Sequence, residues 1–175
     1  MPAARARIIP DLLRIHADDL AFQWGQRRAA LSSRKHTLRE YAEINERIEA
    51  HVQGLLVADG QALMALLQPQ LALGDRDEAF AAAHALLRIG AAAPTHAVIV
   101  EFSRAAGERL AGLRDALSLA PPAQVAAEVQ SALEKAKPST AVAAAVVLAN
   151  HRQLDPRSTR LDQLLADPDP TVASL

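Results

Sequence analysis

Residues 79–87, AFAAAHALL, return 62 residues later as residues 141–149, AVAAAVVLA, with identity at Ala79/Ala141, Ala81/Ala143, Ala82/Ala144, Ala83/Ala145 and Leu86/Leu148. Half that offset falls on residues 110–117, where Ala116 and Leu117 answer Ala85 and Leu86, so the period is about 31 residues. A period of this size marks a chain of stacked supersecondary units, none of which can bury its apolar side alone. Composition decides which kind. The chain holds 39 Ala and 25 Leu against 17 Val plus Ile and five aromatic residues in 175, which favours helix and excludes a sheet protein.

Breakers fall in the same frame and divide residues 58–175 into helix, tight turn, helix. The expected pairs are 59–73 with 75–90, 94–106 with 108–119, 122–137 with 139–152, and 157–166 with an incomplete partner beginning near Thr171. Asp75 and Glu78 have capping-box spacing, and the prolines at 121 and 122 suit a helix start. Pro69 is the misfit, read as a kink.

Residues 1–57 read differently, as a long antiparallel helical hairpin that caps the repeats. Leu13, Leu20, Trp24 and Leu31, with Ala17 and Phe22 beside them, recur at helical spacing from Pro10 to Leu31. Thr37 and Glu40 form a second capping pair, opening a helix that presents Leu38, Tyr41, Ile44, Ile48, Val52 and Leu55 and ends near Gly54. No acidic residue occurs from Leu20 to Arg39, whereas Arg27, Arg28, Arg34, Lys35 and Arg39 all do. The tip of the hairpin is therefore the most basic stretch of the chain.

The turn Asp167-Pro168-Asp169-Pro170-Thr171-Val172, after Leu164-Leu165-Ala166, resembles the turn inside a HEAT repeat, with Ala173 where that motif usually carries Arg. The segments HADDLAFQWGQRRAAL (16–31) and TLREYAEINERIEAHVQGL (37–55) resemble the N-terminal part of a family of uncharacterised bacterial HEAT-repeat proteins often encoded near type VI secretion genes. The resemblance implies a HEAT-like α-solenoid and an accessory, adaptor or immunity role beside a secretion component or effector, and it brings no catalytic residues. Proteins of that family are longer, so the last repeat is expected to lack its partner helix and to self-associate through that end.

Several function classes are disfavoured by what the residues lack. There is no cysteine, so thiolate chemistry and cysteine-based metal sites are absent. The six histidines never recur at three- or four-residue spacing, and His16 with Asp19 offers too few ligands, so neither a metal nor a cofactor is expected. No phosphate loop or nucleophile elbow occurs. A net charge of −1 with one Trp and one Tyr disfavours a nucleic-acid binder. The longest apolar run is too short for a membrane span, and the chain is expected to be cytoplasmic. The enzyme alternative is a catalytic HEAT protein, of bilin lyase or DNA glycosylase type.

The expected function is binding another protein. In the helix from Asp77, the residues Asp77, Ala81, His84 and Arg88 form one narrow polar stripe. Shifting by 31 residues gives Glu108, Gly112, Asp115 and Leu119, and by 62 Ser139, Ala143, Val146 and Asn150. Asp77, His84, Arg88, Glu108, Asp115 and Asn150 are thus the expected lining of an exposed concave surface. The alternative site is the basic hairpin end, Trp24, Arg27, Arg28 and Arg34.

Overall fold

A helix must satisfy the free amides of its first turn, and at several helices of the hairpin and repeats the sequence supplies the groups that do so. The computed structural model describes residues 10–169 and residue 172. Among them it contains α1 (Pro10–Ser32), α2 (Leu38–Leu56), α3 (Gly60–Leu73), α4 (Arg76–Arg88), α5 (Ala92–Arg104), α6 (Gly107–Leu119), α7 (Pro122–Lys135), α8 (Pro138–Asn150) and α9 (Thr159–Leu165), and no strand. At α2 the Thr37 hydroxyl accepts from the Glu40 amide at 3.2 Å and the Glu40 carboxylate accepts from the Thr37 amide at 2.7 Å. Asp75 and Glu78 repeat the arrangement at α4, at 3.0 and 2.9 Å. Asp59 accepts from two amides of α3, and Pro122 and Pro138 open α7 and α8, where the missing N–H costs no bond.

The helices α4, α6 and α8 begin at Arg76, Gly107 and Pro138, 31 residues apart each time. They pack side by side as an inner row, with α3, α5 and α7 forming the outer row, so the fold is all-helical and solenoid-like. The hairpin helix α1 takes the place ahead of α4 in the inner row. It runs in the opposite sense to α4, because Arg28 meets Asp77 while Trp24, one turn earlier, meets Phe80. Hairpin and repeats share one apolar core.

Two sequence expectations shift. The second helix continues past Gly54 to Leu56. Gly54 serves a close approach instead: a Cβ there would stand 2.7 Å from the His16 ring of α1. Phe22, Leu31 and Leu38, placed by spacing on buried stripes, are exposed. Pro69 lies within a helix that continues on both sides of it, so it is not a boundary, as its reading as a kink required. The partner helix expected from Thr171 lies outside the described residues except for Val172, which is buried.

The residues from Ala79 to Leu87 are all buried, because α4 is touched by α1, α2, α3, α5 and α6. Its alanines let those neighbours come near. The closest approach is at Gly112 of α6, where a Cβ would run into the Arg76 carbonyl of α4. Alanine at 112 would raise helix propensity by up to about 1 kcal/mol, yet its Cβ would meet backbone that cannot step aside, and overpacking of this kind costs about 1–3 kcal/mol. The steric effect should win. Gly112→Ala is expected to lose about 1–2 kcal/mol in urea unfolding; a variant as stable as the parent would show that α6 does not seat this closely on α4.

Candidate functional site

Trp24, Arg27, Arg28 and Leu31 follow one another at helical spacing along the last turns of α1, and each meets different surroundings. Trp24 is 4% exposed and lies parallel to Phe80 of α4, with ring centroids 3.5 Å apart. Phe80 in turn stacks on His84 at 5.2 Å. The Arg27 guanidinium lies 4.7 Å from the Trp24 ring centre and 5.1 Å from that of Tyr41, and it donates to Asn45 at 2.8 Å. Arg28 grips Asp77 through two nitrogens, each 2.9 Å from a carboxylate oxygen. Leu31 stands 64% exposed.

The expected concave stripe is corrected by this packing. Asp77 and His84 are turned to the hairpin, and Arg88, though exposed, is paired with it. His84 is 8% exposed, and burial pushes its pKa down to about 4, with the charge of Arg88 adding to the effect. Arg88 donates to both oxygens of Glu49 on α2, at 2.7 and 2.8 Å. Hydrogen bonds from Arg88 and then Gln53 hold the Glu49 carboxyl down at about 2. The stripe has few large apolar side chains because it is the seam where each inner helix meets the one before it. Gly112 meets α4 on this seam, and Asn150 of α8 donates to Ser118 of α6 at 3.0 Å.

The remaining expected residues gather elsewhere, with an outcome that spacing did not show. Asp115 accepts from Arg76 at 2.9 Å and from Arg114 at 2.7 Å, while the exposed Glu108 stands 3.4 Å from Arg76. Asp115 and Asn150 line an open groove of about 760 Å³ that also takes in Trp24, Arg27 and Arg28. The two candidate sites, one on the repeats and one on the hairpin, are therefore parts of one groove between the end of α1, the start of α4, and α6 and α8. Arg34 lies beyond it, exposed at the hairpin tip.

Sequence reasoning missed Arg76, Arg114 and Ser118 as lining residues, and took Leu119 and Val146 only as shifted copies of the stripe. The available signal was the repeat itself: Arg114 and Asp115 share one turn of α6, just before Ser118 and Leu119. Sequence spacing also missed a meeting of His16 and His51, whose Nδ1 atoms are 3.2 Å apart, with Asp19 at 3.8 Å from His51. Among the described residues no group of three or more His, Cys, Asp or Glu could hold a metal ion, and no described helix is long and apolar enough to cross a membrane.

The buried His84 makes stability depend on pH. Unfolded, the imidazole titrates near its ordinary value of 6.5; folded, it stays neutral until about 4. The unfolded chain therefore takes up a proton that the folded chain refuses, and stability falls as pH drops from about 6.5 to 4, by up to about 3 kcal/mol. Urea unfolding across this window should show the loss, and His84→Leu should flatten it; an unchanged slope in that variant would assign the loss to other groups. No protein-family model matches this chain, and no curated protein or solved structure matches it, so the groove's own chemistry carries the functional reading.

Proposed function

We propose that this chain is a protein-binding module, not an enzyme, and that the groove between α1, α4, α6 and α8 is where its partner sits. The observation that carries the reading is the company kept by two large apolar side chains. Leu31 and Leu119, 64% and 50% exposed, stand on the two sides of the groove beside Arg27, Arg28, Arg76 and Arg114. Arginine is enriched among the hot spots of interfaces, and exposed apolar side chains beside it give a partner surface to cover. The residues at the floor are rigid. Arg28 and Arg76 are held by Asp77 and Asp115 on neighbouring helices, so little side-chain freedom is left to lose on association.

The resemblance of residues 16–31 and 37–55 to a family of HEAT-repeat proteins extends the proposal: the module is a HEAT-type solenoid in the bacterial cytoplasm, acting as an adaptor or immunity protein of a secretion system, with a system component or effector as its partner. Photo-crosslinking groups at Leu31 and at Leu119 are expected to capture the same protein in cells of the source organism. A third at Leu73, which is exposed on α3, should not. Capture of the same set of proteins from all three positions would refute the groove as the binding surface.

A further inference from the structure

We infer that the partner presents an acidic segment, with carboxylates alternating with apolar side chains, to this groove; the inference rests on the groove being the binding surface. The warrant is a local imbalance of charge. The whole chain has 19 Lys plus Arg against 20 Asp plus Glu, yet the groove is lined by four arginines and one carboxylate, Asp115. Asp115 is shared between Arg76 and Arg114. Arg28 is matched by Asp77, which stands behind it. Glu108, the second acid near Arg76, is exposed and at 3.4 Å. Arg27 has the neutral amide of Asn45 as its hydrogen-bond partner and two aromatic rings beside it.

The excess grows toward one end. Leu31 and Ser32 line the groove, and the chain then runs directly into Arg34 and Lys35, which are exposed and form no ion pair among the described residues. An anionic ligand lying along this path meets Arg114 and Arg76, then Arg27, then the pair at the hairpin tip. Carboxylates answer guanidinium groups with charge-assisted hydrogen bonds.

The apolar part of the groove decides which class of anion. A single-stranded nucleic acid would need exposed aromatic faces for its bases, and the one aromatic residue lining the groove, Trp24, is buried against Phe80. Leu31, Leu119 and Val146 offer instead a surface for aliphatic side chains. Crossing from α1 to α8 covers three helix spacings of about 8–10 Å, roughly the length of 16–20 helical residues. A peptide segment of that length fits both the charge and the apolar demand.

Fluorescence anisotropy with the whole chain tests this, using a labelled 16-residue peptide of glutamate and leucine in helical spacing, its lysine-for-glutamate twin, and a 16-nucleotide oligothymidylate. The glutamate peptide should bind at least tenfold more tightly than either competitor and should weaken as salt rises. Arg114→Glu and the double variant Arg34→Glu/Lys35→Glu, checked for an unchanged helical spectrum, should each weaken it fivefold or more; the tip residues are fully outside the core, so this second variant tests the charge without risk to folding. Equal binding of the lysine twin or of the oligonucleotide would overturn the acidic-peptide assignment. So would an absence of binding by the glutamate peptide. In either case continued crosslinking of one partner from Leu31 and Leu119 would leave the groove itself standing, whereas loss of that crosslinking would remove the site as well.

Discussion

The stack of Trp24 on Phe80 is the contact on which the arrangement of this molecule depends. It joins the hairpin to the repeats at the point where α4 is already surrounded by other helices. A helix buried along nine consecutive residues leaves no side free for solvent, so each neighbour must be seated by a residue that suits its own distance. Toward α6 the answer is glycine at 112, and toward α1 it is a pair of flat rings at 3.5 Å. The residue is small where the helix backbones converge and aromatic where they stand farther apart.

Around that stack the charged groups act as fasteners at the margin of the core, not as its substance. Arg28 to Asp77 ties α1 to α4, Arg88 to Glu49 ties α2 to α4, and Arg76 to Asp115 ties α4 to α6. Each pair is partly exposed, so each contributes modestly to stability. Their larger effect is on position. A bidentate guanidinium fixes the rotation of one helix against the next, and the two bidentate pairs, Arg28 with Asp77 and Arg88 with Glu49, hold the hairpin against sliding along α4. The groove owes its shape to this, since one wall belongs to α1 and the other to α6 and α8.

Most of the helices were legible in the sequence, because alanine-rich periodicity, capping pairs and prolines are local signals read by local physics. Asp75 with Glu78 and Thr37 with Glu40 could each be recognised without knowing the rest of the chain. The site was legible only in pieces. Asp115 and Asn150 could be found from the 31-residue register, and Arg27 and Arg28 from the basic run, yet nothing in the register says that α1 reverses direction against α4 and brings the second set beside the first. That reversal comes from Phe80 accepting Trp24, a contact between residues 56 positions apart. The same ignorance of direction explains the error at His84 and Arg88: a polar stripe on an otherwise apolar helix looks like its wet side, and it becomes a seam once a second amphipathic element is laid over it. Gly54 was misread for a related reason, since a glycine near a helix end signals a stop unless a ring such as that of His16 requires the space.

The seam also explains why the groove lies where it does. Successive inner helices touch along positions that are small or polar, and where that line nears the open side Asp115, Leu119, Val146 and Asn150 on it, with Arg114 and Ser118 beside it, line the groove. On α4 the equivalent flank is covered by the hairpin, so the row opens only beyond Arg76. A repeat array without the hairpin would present a longer surface, less charged, with α4 bare. Covering α4 with α1 shortens that surface and brings Arg27 and Arg28 to its edge beside Arg76 and Arg114 of the repeats. The hairpin is therefore both the end cap that hides the first inner helix and one wall of the groove, and a change that loosens Trp24 from Phe80 acts on the fold and on the groove together.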